Sequence, residues 1–349
     1  MEAEKWREIV SGSRVDIKAR CLLLIFRILA VIYGLIITVR NLAYRNGVLP
    51  VKKAELPVIS VGNITAGGTG KTPIVIWLCQ MFAAKNLKTA VLSRGYKGDG
   101  QSADEPELIR KSCPESQVII NSDRFAGSVE ACKNLGNEGV LILDDGFQHR
   151  RLGRELDILT VDATCPFGYE RILPAGLLRE SLSGIKRAKI AIITRCDIAT
   201  EEQINFVTWR LIRINPDIAI YKVGHRYSGI EMLDGKNIEM PDLSGKKCFV
   251  FCGIGNPHAF LECLFNCNVS VVDYKIYADH HNYTDADVDY LLTKASDCDI
   301  MLTTEKDFVK LKGLDCPELF MKCGCTKLEI DLYDKGQELS ELIINNIDS

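Results

Sequence analysis

Residues 58–73 read VISVGNITAGGTGKTP: an apolar run, a glycine-rich turn, then Gly-Lys-Thr-Pro. The stretch Thr65, Ala66, Gly67, Gly68, Thr69, Gly70, Lys71, Thr72 matches G-x-x-x-x-G-K-[ST] at every defined position except the first, where Thr65 replaces glycine. Glycines let backbone N–H groups turn inward on phosphate oxygens where Cβ atoms would obstruct them. On this reading Lys71 contacts the β- and γ-phosphates and Thr72 holds Mg²⁺. Pro73 sits in the first helical turn, where a missing N–H costs nothing. An ordinary glycine-rich turn explains the glycines but not the Gly-Lys-Thr. A second acidic feature follows. Residues 140–143 (VLIL) end in Asp144-Asp145 and continue as GFQHRRL. Carboxylates at the C-terminal end of a parallel strand face the crevice that the phosphate loop faces, and can serve Mg²⁺ directly or through water.

Such a loop needs a strand before it and a helix after it, and the surrounding chain supplies both. Short β-branched runs at 58–61, 89–92, 118–120, 140–143, 158–161 and 190–193 predict strands, with helices between several of them, including 73–84 and 124–135. Buried apolar strands alternating with helices indicate a doubly wound, mostly parallel α/β sheet. The text turns polar at 233–245 (LDGKNIEMPDLSG), and a second strand–helix series starts at 248–251, with later strands at 270–273 and 300–303. The expected organisation is an N-terminal helix over 1–45, a nucleotide-binding α/β domain over 46–240 and a smaller C-terminal α/β lobe over 241–349.

Composition narrows the function classes. At 349 residues, 47% apolar and 26% charged, the chain is long enough for about two domains and is not disordered. Lys and Arg total 43 against 46 Asp and Glu, a net charge of −3, which argues against a protein that coats nucleic acid. Fourteen cysteines scattered through apolar runs suit buried thiols in a reducing compartment. Cys323-Gly-Cys325, with Cys316 nearby, lacks a complete four-ligand zinc pattern. Residues 21–39 (CLLLIFRILAVIYGLIITV) carry one charge, Arg27, and are flanked by Lys5, Arg7, Arg14, Lys18 and Arg20 before and Arg40, Arg45, Lys52 and Lys53 after. As a helix the run spans about 28 Å, near the thickness of a bilayer core. It either crosses a membrane, with Arg27 inside at a cost of about 2.5–3.5 kcal/mol, or lies in the cytoplasmic leaflet with its basic borders on anionic lipid. An ordinary buried helix is the bland alternative.

Several further segments occur in order: SRGYKG (93–98), ADEP (103–106), DDGFQHRRL (144–152), LPAGLLRE (173–180), FCGIGNP (251–257), DHHNYT (279–284) and TTEKDFVKL (303–311). Together with the phosphate loop they resemble the tetraacyldisaccharide 4′-kinases, from the apolar helix to about residue 311 and more weakly beyond. The resemblance implies ATP- and Mg²⁺-dependent phosphorylation of the 4′-hydroxyl of an acylated glucosamine disaccharide lipid at the cytoplasmic face of an inner membrane, by a peripheral or monotopic enzyme. It implies an acid–base pair at Asp104 and His280, although His281 stands beside the latter. It also places Arg94, Glu105, Arg124, Arg179 and Glu180 around the crevice, with Gln148 and His149 after the paired acids. The expected metal set is Thr72, Asp144, Asp145 and Glu105; Lys71, Arg124, Arg179 and Glu180 join the catalytic pair; Arg94, Gln148 and His149 face the lipid substrate. Which member of the pair takes the proton stays open. The competing class is a membrane-attached P-loop ATPase acting as a switch, chaperone or transport motor. Thr194-Arg195-Cys196-Asp197 is partly similar to the base-reading [NT]-K-x-D motif of GTPases, but reads more simply as a strand-end turn.

Overall fold

The computed structural model describes residues 3–95, 104–136, 138–279, 281–311, 314, 316–333 and 335–347, with the side chains of Ala3, Glu4, Asp104 and Phe320 left aside. The chain opens with helices α1 (Ala3–Ser11) and α2 (Ile17–Arg45), then alternates β1 (Val58–Gly62), α3 (Lys71–Ala84), β2 (Thr89–Ser93), α4 (Asp104–Ser112), β3 (Gln117–Ile120), α5 (Arg124–Leu135) and β4 (Val140–Asp144). Strands β5 (Leu156–Asp162) and β6 (Ile190–Thr194), helix α6 (Glu201–Ile214) and strand β7 (Ala219–Lys222) complete a seven-stranded parallel sheet of order β3-β2-β4-β1-β5-β6-β7. Strands β1, β2, β4 and β6 are buried at every position, which explains why they read as unbroken apolar runs. Strand β1 pairs with β4 on one side and β5 on the other, so the loop after it opens at the point where the winding direction reverses.

The second layer system comprises β8 (Gly224–Met232), β9 (Asn237–Glu239), β10 (Lys247–Cys252), α7 (Pro257–Asn266), β11 (Ser270–Ile276), α8 (Asp285–Lys294), β12 (Ile300–Thr304), α9 (Glu305–Leu311), α10 (Pro317–Lys322), β13 (Cys323–Asp331) and α11 (Gly336–Ile347). Its six strands run β11-β10-β12-β13-β8-β9; the first four are mutually parallel, and β8 joins β13 and β9 antiparallel. The chain therefore changes sheets between Lys222 and Gly224. The polar stretch read as a boundary near 240 lies inside the second sheet, as the β8–β9 hairpin and the turn after it. Helix α11 then returns to the first sheet, where Leu339 and Ile343 enter the cluster around Ile59, Leu78 and Ile158. Cys323 and Cys325 are fully buried on one face of β13 among Phe249, Phe308 and Leu319, so the pair is packing.

Helix ends follow local chemistry. Asp123 caps α5 by accepting from the Phe125 N–H at 3.0 Å, and Thr200 with Gln203 forms a capping box on α6. Helix α2 rests a half-buried stripe containing Tyr33, Gly34, Asn41 and Tyr44 against the body and exposes Leu24, Ile25, Ile28, Leu29, Val31, Ile32, Leu35, Ile36, Val39 and Leu42 on its other side. Among the described residues it is the one helix long and apolar enough to cross a membrane.

Gly62 ends β1 beneath the turn that follows β4. A Cβ there would lie 2.6 Å from the Phe147 backbone nitrogen and 2.7 Å from its Cβ, whereas a Cβ at Gly68 meets nothing within 4 Å. Gly62→Ala is expected to destabilise the protein by roughly 1–3 kcal/mol, seen as a Tm several degrees lower in calorimetry, while Gly68→Ala melts with the parent. Equal melting of all three would mean that this close approach is not a constraint.

Candidate active site

The loop between β1 and α3 is shaped from behind. Asn63 Nδ2 donates to the Gly67 carbonyl at 3.5 Å, Arg195 Nη2 to the Gly68 carbonyl at 2.8 Å and Thr194 Oγ1 to the Thr69 carbonyl at 3.1 Å. In a planar trans peptide the next N–H points opposite to the carbonyl. Holding these three carbonyls toward the protein therefore turns the amides of Gly68, Thr69 and Gly70 toward the mouth of the crevice, the arrangement that binds anions. Thr69 is fixed further by Asn63 Nδ2 and Thr160 Oγ1, both at 2.9 Å. Gly70 lies at φ +74, the left-handed conformation glycine tolerates, and caps α3, so Lys71 opens the helix. Thr65 and Ala66 instead pair with the 173–180 segment: the Ala66 N–H donates to the Leu177 carbonyl at 2.7 Å, and the Arg179 N–H to the Ile64 carbonyl at 2.7 Å. Thr72 is buried in the first turn of α3.

Asp145 joins the elements at the mouth. Its carboxylate accepts from Arg179 Nη1 at 2.9 and 2.8 Å and lies 3.4 Å from Lys71 Nζ; burial would raise its pKa, but these two cations hold it below the usual carboxylate range. Asp144, one residue earlier, is fully buried and has the opposite environment. Burial, then Glu105 and Asp145, push it up to about 7, and its Oδ1 has no hydrogen-bond partner, while Oδ2 accepts from Ser93 Oγ at 3.4 Å. Two adjacent acids thus have different jobs available to them. Asp144 carries an open acceptor suited to a cation, and Asp145 is matched to Lys71 and Arg179. Glu105 is engaged too, by Lys306 of α9, whose ammonium is held up against its burial by that carboxylate. Of the expected metal set, Asp145 and Glu105 therefore face protein cations, and among the described residues no three Asp, Glu, His or Cys side chains form a metal cluster by themselves.

The supporting contacts sort the remaining candidates. Glu180 is almost wholly buried, and its two oxygens accept from Arg187 (both at 2.9 Å), Gln148 Nε2 (3.0 Å) and Asn41 Nδ2 (3.3 Å). It anchors Gln148, which also donates to the Asn63 carbonyl at 2.7 Å, so both Glu180 oxygens are engaged by protein donors. Arg124 is buried beside Asp144, donating to the Asn121 carbonyl at 2.9 Å and toward the Asp144 carbonyl at 3.5 Å. Burial, then Arg124 and Arg154, pull the His149 imidazole down to about 4, so it is neutral at pH 7. Arg94 is exposed just after β2. The backbone of Asp104 opens α4, and His280 lies outside the described residues. His281 is already occupied: its ring stacks on Tyr277 at 4.4 Å, and its Nε2 lies 3.1 Å from Asp287, the capping-box acid of α8.

Three contributors were not anticipated. Arg195 sits in the left-handed region (φ +60), is buried, and pairs with Asp162 while it grips the Gly68 carbonyl. The Thr-Arg-x-Asp turn after a strand was the available signal. Asp197 of the same turn is engaged within the protein, accepting from the His225 N–H at 2.8 Å and from Cys263 Sγ at 3.3 Å. Arg7 of α1 donates to the Gly255 carbonyl of the second lobe at 2.9 Å and lies 3.7 Å from a Cβ built on Gly67. Lys306, inside the TTEKD segment, supplies the cation for Glu105.

The tetraacyldisaccharide-1-P 4′-kinase family model matches residues 22–348. The tetraacyldisaccharide 4′-kinase of Geobacter sulfurreducens is 36% identical over 327 residues, covering 88% of this chain and 90% of the relative. That of Halothermothrix orenii is 34% identical, covering 95% and 92%. The crystal structure of LpxK from Aquifex aeolicus in complex with ATP aligns with a TM-score of 0.71 at 29% identity, covering 91% of this chain and 97% of that one.

The Asp144 environment predicts a pH signature. An acid raised from near 4 to about 7 on folding binds more protons folded than unfolded, so it removes stability as pH rises through that interval and has no effect below about 4. The Tm of Asp144→Asn minus that of the parent is expected to grow from pH 4 to about 7 and then level off. A pH-independent difference would mean that the buried carboxyl is not the titrating group. Matched through nearly its whole length by the kinase model and its relatives, the chain belongs to the tetraacyldisaccharide-1-P 4′-kinase family.

Proposed function

We propose that this protein transfers the γ-phosphoryl group of ATP to the 4′-hydroxyl of a tetraacylated glucosamine disaccharide 1-phosphate at a membrane surface. The observation that carries this is the convergence of Lys71 and Arg179 on Asp145 at the mouth of a loop whose amides face the crevice. On arrival of the triphosphate, Lys71 and Arg179 exchange the Asp145 carboxylate for phosphate oxygens, and the amides of residues 68–70 receive the remaining charge. The buried, unpartnered Asp144 Oδ1 fits Mg²⁺, which is held in such sites by one or two carboxylates together with phosphate oxygens and water. Thr72 and Asp144 would hold it, and the ion supplies charge neutralisation on the β- and γ-phosphates.

Asp104 and His280 are the pair assigned to the hydroxyl proton: the sugar oxygen attacks the γ-phosphorus, its proton passes to the pair, and ADP leaves. Ring stacking and the Asp287 contact of His281 favour its neighbour in this role. Arg94 and neutral His149, a hydrogen-bonding group rather than a cation, are assigned to the disaccharide, while Gln148 ties Glu180 to the start of the phosphate loop.

Helix α2 supports the membrane part of the reading. One side is docked on the body through Tyr33 Oη to the Arg179 carbonyl (3.1 Å) and Asn41 to Glu180, and the other is a continuous apolar surface. A helix so docked suits lying in the cytoplasmic leaflet of the inner membrane better than crossing it, and leaves Arg27 free to reach headgroups.

Incubation with [γ-³²P]ATP, Mg²⁺ and an acylated disaccharide 1-phosphate in detergent is expected to label the lipid; release of free phosphate without a labelled lipid would overturn the kinase reading in favour of a P-loop ATPase. Lys71→Ala should lower kcat by roughly a hundredfold or more with the fold intact; near-normal turnover would remove the phosphate-loop assignment. Deleting residues 1–45 is expected to move most of the protein from membranes to the soluble fraction, and full retention on membranes would assign docking to another surface alone.

A further inference from the structure

We infer that the outward face of α6 is a second lipid-contacting surface, separate from the exposed face of α2; this rests on the membrane reading above. Helix α6 buries Ile204, Val207 and Leu211 against the sheet. At the opposite helical spacing it presents Phe206, Trp209 and Ile212, and with nearby Tyr169 these side chains keep between 42 and 50% of their surface exposed. The face is built rather than incidental. Phe206 packs edge-on against buried Phe167 with centroids 6.2 Å apart, and Trp209 follows at 6.4 Å. Arg210 Nη2 holds Glu170 at 3.1 Å, which pins the turn carrying Tyr169 to the helix.

A bilayer is the occupant that the surroundings favour. The patch connects to α2 through the core beneath it: Gly34 of α2 sits over Ile172, with a built Cβ 3.3 Å from its Cδ1, and Ile172 packs on the cluster that contains Phe167. Trp and Tyr side chains, apolar in body and polar at the tip, are the residues that settle at headgroup depth. Arg213 lies over the Trp209 ring at 5.2 Å, and Arg171 is exposed after the Tyr169 turn, so cations border the patch as they border α2. The acidic residues of α6, Glu201 and Glu202, are confined to its first turn.

The test uses the full chain and vesicles of phosphatidylethanolamine with phosphatidylglycerol. Trp209→Ser/Ile212→Ser, at two exposed positions, is expected to weaken vesicle binding by roughly tenfold or more while leaving activity on detergent-dispersed substrate unchanged. In a chain carrying Trp6→Phe and Trp77→Phe, which leaves Trp209 as the sole tryptophan, brominated lipid is expected to quench its fluorescence. Normal vesicle binding by the double variant, or an unquenched Trp209 in vesicle-bound protein, would overturn the α6 surface and leave the α2 reading intact. No vesicle binding by the parent chain would overturn both. Self-association of the parent in sedimentation velocity that the double variant loses, with vesicle binding unchanged, would assign the face to a second copy of the chain and overturn the proposal.

Discussion

Asp145 is one carboxylate answering two cations that arrive from different elements, Lys71 from the start of α3 and Arg179 from the segment after β5. Neither cation has a reason to sit at the crevice mouth without it. Like charges converging there would repel, and the low-dielectric surroundings sharpen that repulsion. The carboxylate itself is aimed by a left-handed backbone at φ +50, directly after the last buried residue of β4. Strand β1, strand β4 and the 173–180 segment must therefore all be in register before the charges balance. The glycine at 62, the carbonyl clamps of Asn63, Thr194 and Arg195, and the Glu180–Arg187–Gln148 network all serve that registration.

The second sheet is tied to this centre by charge as well as by packing. Helix α4 bridges at both ends, with Glu105 on Lys306 and Lys111 on Glu231 at 2.7 Å, and Arg7 spans from the mouth to the Gly255 carbonyl. Asp279 approaches the same glycine: a Cβ on Gly255 would lie 3.1 Å from Asp279 Oδ2 and 3.6 Å from the Gly68 nitrogen. The backbone that begins with Asp104 and the residues flanking position 280 thus border one crevice, supplied from opposite sheets. Partly exposed ion pairs of this kind are individually weak, which suits a junction that must admit a large lipid headgroup and a nucleotide. Helix α2 reaches the same network from outside, Tyr33 through the Arg179 carbonyl and Asn41 through Glu180, which holds Gln148.

The first sheet was legible because its strands are buried on both faces and so appear as apolar runs of the right length between helical patterns. The strands predicted at 58–61, 89–92, 140–143 and 190–193 each extend by a single residue in the structure. The second sheet was legible only where its strands are parallel. Strand β8 (GHRYSGIEM) shows neither an apolar run nor clean alternation, since its place is decided by antiparallel pairing with β13, about a hundred residues later. That is why the boundary was read near 240 rather than at 222–224. At the site, residue types at fixed spacing found the loop and the paired acids. Partner choice was invisible: nothing local reveals that Asp145 meets Arg179, that Glu105 meets Lys306, or that Arg195 turns back on the loop. Glu180 is placed in the catalytic set by its motif, and nothing local reveals that Arg187, Gln148 and Asn41 occupy its oxygens.

In the proposed reaction the two sheets jointly complete the chemistry, with Asp104 from one and His280 from the other acting as a single unit on the sugar hydroxyl. Groups that act as one unit are non-additive when removed. The direct measurement is kcat for Asp104→Ala, His280→Ala, the double variant and His281→Ala, under saturating ATP and lipid. A shared role for Asp104 and His280 requires a strong loss in each of the first two, a double variant little worse than the worse single, and a mild effect at His281, whose ring is held by Tyr277 and Asp287. Full activity in His280→Ala, or multiplicative losses in the double variant, would contradict it.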